Sequence, residues 1–194
     1  MQEASGGPAE ADARISAPAH IRSLPGRHQL AVACASAVLV VGSLVRFGLS
    51  GHALVGAIFA AALVVLTAID LDRRLLPDAI VLPTLAVVLI LQIAFYPHHT
   101  LEWVVAALGA ALFFFIPMLI YPAGMGMGDV KLAALLGAAL GRSVVAAIAV
   151  TLFAGGAFAL LVITREGLGA RKKAIPFGPF LALGGLVILF LGGR

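Results

Sequence analysis

Residues 53–70 read ALVGAIFAAALVVLTAID, seventeen uncharged residues closed by Asp70. A helix of about 20 apolar residues, rising ~1.5 Å per residue, crosses the ~30 Å hydrocarbon layer of a bilayer. Windows of this kind recur at roughly 29–49, 79–96, 101–121, 143–164 and 177–193, with a shorter one at 129–141. Across 194 residues, 62% are hydrophobic and 11% charged, with a mean hydropathy of +1.11. Such a chain cannot hide its apolar side chains in one water-soluble core and must use lipid as solvent. The expectation is an all-α, polytopic transmembrane bundle of about six or seven spans. The window at 129–141 is too short for an upright crossing, so it tilts, continues past Arg142 or packs inside the bundle.

Residues 1–28 are rich in Ala, Gly and Pro, with too few large apolar side chains to offset the entropy of ordering, and are read as a flexible cytosolic tail. Residues 29–194 form the membrane-embedded domain. Residues 29–49 are long enough to act as a retained anchor in place of a cleaved signal. With the first span running outward, Lys and Arg divide ten inside to three outside. The excess sets the N-terminus in the cytosol and the C-terminus outside. The net charge of +4 is explained by these loop cations, and nucleic-acid binding is excluded on that ground. Cys34, the single cysteine, has no intrachain disulfide partner and is read as a small packing residue. Tyr96, Trp103 and Tyr121 fall near span ends and are read as headgroup anchors.

Of five aspartates, Asp70, Asp72, Asp78 and Asp129 lie at or beside span ends. An ionised aspartate at mid-bilayer costs roughly 2.5–3.5 kcal/mol, so such residues face polar cavities and have tasks. Two complete spans separate Asp70 from Asp129, an even number of crossings, which returns both to one side of the membrane. The distribution of cations makes that side cytosolic. Two carboxyl groups a few ångströms apart share a proton: one acts as base toward water and the other as acid toward a peptide carbonyl. This chemistry needs no metal and no cofactor, and the histidines lie in the tail or outer loops, away from these acids. Each aspartate also has a structural reading. Asp78 follows Pro77 and is placed to cap its helix. Asp72 can pair with Arg73 or Arg74, Asp129 can cap the fifth span, and Lys131 can meet a lipid headgroup.

Residues Gly124-Met125-Gly126-Met127-Gly128-Asp129 place glycine at alternate positions before an apolar helix. Bare backbone of this kind allows conformations and close approaches that a Cβ blocks, and can admit an extended peptide beside Asp129. Three blocks taken together resemble the type IV prepilin peptidases, membrane aspartyl peptidases of the GxGD type. They are Ile69-Asp70-Leu71-Asp72-Arg73-Arg74-Leu75-Leu76-Pro77-Asp78, Gly126-Met127-Gly128-Asp129-Val130-Lys131-Leu132, and Ile175-Pro176-Phe177-Gly178-Pro179-Phe180-Leu181.

The resemblance implies that Asp70 and Asp129 are the catalytic pair and that Gly126 and Gly128 are the motif glycines. It further implies that Lys131, Pro176, Phe177, Gly178 and Pro179 help form the site, with Asp72 and Asp78 as possible supporting acids. It implies cleavage of the basic leader of a type IV prepilin, Flp-type pilin or pseudopilin precursor, in a bacterial or archaeal cytoplasmic membrane, at the cytosolic face. Larger relatives also N-methylate the new terminus and carry a cytosolic segment with paired CxxC motifs. One cysteine cannot supply these, so methylation is not expected. A proton- or cation-coupled transporter using the same aspartates, or an inert scaffold of the same fold, is the alternative reading.

Overall fold

In lipid, backbone polar groups find no water, so a chain of this composition satisfies them within helices. The computed structural model describes residues 26–48, 50–73, 76–120, 125–166 and 177–192, and these contain no strand. They form α1 (Gly26–Phe47), α2 (Gly51–Arg73), α3 (Asp78–Phe95), α4 (Thr100–Ile120), α5 (Met127–Leu140), α6 (Val144–Glu166) and α7 (Gly178–Leu191). Short 3₁₀ turns, Pro97–His99 and Gly141–Ser143, precede α4 and α6. The observed bounds lie within a few residues of those read from hydropathy. Among the described residues four apolar stretches are long enough to cross a membrane: Gly51–Asp72, Asp78–Phe95, Pro97–Ile120 and Met127–Arg165. Of the expected tail, residues 1–25 lie outside the described residues, whereas Gly26 already opens α1.

The last stretch is two helices, because Gly141 has φ 55° and ψ −132°, well outside helical geometry. Positive φ suits glycine, which lacks the Cβ that strains other residues there. Helix α5 therefore has 14 residues, about 21 Å of rise, too short to cross upright. It occupies the middle of the bundle, packing on α3, α4 and α7, with nine buried residues. A Cβ on Gly137 would collide with the Ala106 carbonyl, so a glycine is what lets α4 and α5 approach this closely. Around α5 the core comprises Phe59, Leu63 and Leu66 of α2, Val81 and Val88 of α3, Phe114 of α4 and Leu181 of α7.

The helices alternate in direction. The end of α2 and the starts of α3, α5 and α7 meet at one end of the bundle, through Asp70 with Gly178 and Asp78 with Lys131. At the other end Tyr96 of the α3 terminus bonds His52 at the start of α2, and Glu102 of α4 bonds Arg142 beyond α5. Some peripheral expectations are corrected. Trp103 is 1% exposed and belongs to the core, because the start of α4 is covered by its neighbours. Tyr96 keeps its place at the α3 terminus, where its ring lies 4.1 Å from that of His52. Cys34 is exposed on α1 and is no packing residue. Tyr121 lies outside the described residues.

Candidate active site

Asp70 sits one turn before the end of α2, and Asp129 is the third residue of α5. They are 5% and 9% exposed, so neither carboxylate is a solvated surface charge. Each is held by a backbone N–H from a glycine. Gly178, the first residue of α7, donates to Asp70 Oδ2 at 3.1 Å, and Gly126 donates to Asp129 Oδ2 at 3.2 Å. Hydrogen bonds to an ionised acceptor are the strong class, and here they orient both carboxylates by main chain. The two carboxylates are within electrostatic reach of one another, although 59 positions separate them in sequence. In both cases the bonded oxygen is Oδ2. Among the described residues neither Oδ1 has a hydrogen-bond partner.

The capping reading of Asp129 is partly realised. Its carboxylate reaches back to the N–H of Gly126, the residue before the helix, while its own N–H meets the Gly126 carbonyl at 3.1 Å. Glycine has no side chain to complete the reciprocal half of a capping box, so the contact is one-sided. Asp78 is not the cap expected of it. Pro77 holds the capping position of α3 without a side-chain bond, and Asp78, in the first turn, pairs with Lys131 Nζ at 2.6 Å. That pair also replaces the headgroup contact considered for Lys131, tying the first turn of α3 to the first turn of α5. Asp72 is exposed at the end of α2, and its expected pairing with Arg73 or Arg74 lies outside the described residues.

The motif glycines divide. A Cβ on Gly128 would stand 2.8 Å from Leu76 Cβ, so this glycine allows the α5 start to pack on the segment before α3. A Cβ on Gly126 would meet nothing nearer than 3.8 Å, and its φ of −88° suits any residue. Gly126 therefore leaves room beside Asp129 and is not a packing necessity. Gly178 is the tightest of the three, since a Cβ there would come 2.5 Å from Asp70 Oδ2. Phe177 sets the approach of α7: its ring lies 5.8 Å from Phe114 and 6.3 Å from Phe180. Pro179 occupies the first turn of α7, where its missing N–H costs nothing. Pro176 lies outside the described residues. The packing of Leu76 on Gly128 and of Phe114 on Phe177 was not anticipated from sequence, because both partners are ordinary apolar residues in apolar runs.

A family model described as type IV leader peptidase family matches residues 57–164. The chain is 34% identical over 178 residues to a prepilin leader peptidase/N-methyltransferase of Burkholderia pseudomallei (strain 1026b), covering 89% of this chain and 58% of that protein. A protein of the same name from Xanthomonas campestris pv. campestris is 31% identical over 168 residues, covering 81% and 56%. One from Pseudomonas putida is 35% identical over 166 residues, covering 83% and 57%. The chain thus spans less than three-fifths of the length of these relatives. No solved structure matches it significantly. The matched region contains both aspartates, both motif glycines and the α5 start on which Asp129 stands, and on this match the chain belongs to the type IV leader peptidase family.

Proposed function

We propose that the chain is an aspartic endopeptidase that removes the leader of type IV prepilin-like precursors, with Asp70 and Asp129 as the catalytic pair. The observation that supports this reading is that two buried carboxylates remote in sequence lie at one bundle end, each accepting a glycine N–H. Water held between the two Oδ1 atoms loses a proton to the ionised member as its oxygen attacks the scissile carbonyl carbon. The protonated member donates to the carbonyl oxygen, giving a tetrahedral diol. Collapse of the diol breaks the C–N bond: one diol hydroxyl returns its proton to the acid that donated it, and the departing nitrogen takes up the proton that came from water. Main-chain donors hold the carboxylates throughout, so no side chain has to rearrange between the steps.

The proposed orientation sets this end toward the cytosol, where the excess of Lys and Arg falls, and a prepilin leader would meet it there. Flp-type pilins and pseudopilins belong to the same substrate class. Room beside Asp129 at Gly126 suits an extended segment that pairs its backbone with that of the loop. Methylation of the new terminus is no part of the proposal.

The test is incubation of purified protein with a full-length prepilin precursor and mass determination of the product. Release of the leader with a single new N-terminus is expected. An intact precursor, together with proton flux into liposomes that depends on Asp70, would replace this reading with the transporter.

A further inference from the structure

At the bundle end opposite the aspartates, a groove of about 690 Å³ opens between α4 and α6. Its walls are apolar, including Val105, Phe113, Val145 and Ile148, and its mouth carries His98, His99, Glu102 and Arg142. At Gly109 the slot is open: a Cβ there would find no atom within 4 Å. The mouth is a built arrangement. Glu102 accepts the Arg142 backbone N–H at 3.2 Å and lies 3.5 Å from Arg142 Nε and 3.3 Å from His99 Nδ1. The acid is thereby compensated, and it anchors by its Nε a guanidinium whose side chain is 86% exposed. The exposed group at the mouth is this guanidinium, with the carboxylate set behind it.

Length restricts what can lie in the groove. From Leu101 to Phe113, α4 rises about 18 Å, close to half of the ~30 Å hydrocarbon thickness, so the groove serves one leaflet. A slot of this length covers only about half of a spanning helix. An acyl chain fits, lying along α4 with its headgroup at the mouth. Arginine binds phosphate oxygens through paired N–H groups, which selects an anionic headgroup there.

We infer that the groove binds one anionic phospholipid of the surrounding bilayer, with an acyl chain over Gly109 and its phosphate against Arg142. This inference does not depend on the peptidase reading. Native mass spectrometry of the full chain in detergent, titrated with dioleoyl phosphatidylglycerol or dioleoyl phosphatidylcholine, tests it. The wild type is expected to retain one phosphatidylglycerol, favoured about fivefold over phosphatidylcholine, the factor one surface arginine contributes toward an anionic headgroup. Arg142→Gln should bring the two lipids to parity, and Gly109→Phe, which fills the slot, should reduce retention of both. Melting curves of the two variants confirm that each is folded. Equal retention of both lipids by the wild type would overturn the inference, as would retention unaffected by Gly109→Phe. A dimer that Gly109→Phe dissociates would assign the groove to a second copy and overturn it equally.

Discussion

Replacing Gly178 by alanine perturbs Asp70 without replacing any titratable group. The first-turn backbone of α7 accepts alanine, so the effect comes from the added methyl alone. The methyl would stand 2.5 Å from Asp70 Oδ2 and 3.0 Å from its Cγ, so the oxygen must retreat by about 0.9 Å to reach the 3.4 Å of ordinary contact. The same movement lengthens the 3.1 Å bond from the Gly178 N–H. Misplacing a catalytic group by about 1 Å can cost ~10²-fold in rate, or ~2.7 kcal/mol of transition-state stabilisation. The expected outcome is a fall of about that size in kcat/KM for cleavage of a full-length precursor, with the protein still folded by its melting curve. Gly56→Ala is the control, because its methyl would meet neighbours at 3.5 Å and beyond. A Gly178→Ala enzyme within about twofold of wild type, ~0.4 kcal/mol, would refute the idea that this glycine sets the carboxylate.

Other outcomes follow from the same packing. Gly128→Ala presses a methyl against Leu76 Cβ and should cost about 1–3 kcal/mol, seen as a Tm lowered by several degrees. Gly126→Ala should stay within about 0.5 kcal/mol of wild type, and equal Tm values for the two variants would contradict the division between the motif glycines. Gly137→Ala forces α4 and α5 apart against backbone on both sides, so an unchanged Tm in detergent would count against the close approach at Ala106. The Asp78–Lys131 pair is half open to solvent, with side chains 58% and 26% exposed. A double-mutant cycle on stability should therefore give a coupling below about 1 kcal/mol that weakens with added salt, and a coupling above ~2 kcal/mol would show a buried tie instead.

Hydropathy placed every described helix within a few residues, because in lipid a helix must begin and end close to where the apolar run does. What it could not show is that the short window at 129–141 forms the centre of the bundle. That depends on Gly137 meeting the Ala106 carbonyl, a contact between two backbones that leaves no periodic mark. The aspartates stood out because charge beside an apolar run is costly, and the parity of the intervening spans already brought Asp70 and Asp129 to one end. Their glycine donors were legible only as motif letters: spacing alone cannot say that the Gly178 N–H points at Asp70 while Gly126 serves Asp129. Asp78 was misread as a cap because Pro-Asp before an apolar run is a local signal. Its partner, Lys131, lies 53 residues away and is found only through the packing of α3 against α5.

Cleavage of a prepilin precursor by membranes carrying wild type, Asp70→Asn, Asp129→Asn, Asp72→Asn or Asp78→Asn is the most direct measurement. The proposed mechanism needs both carboxylates for its proton exchange, so Asp70→Asn and Asp129→Asn should each leave the precursor at full length. Asp72→Asn and Asp78→Asn, which alter exposed acids, should still yield product. Processing at the wild-type rate by Asp70→Asn or Asp129→Asn would contradict the account.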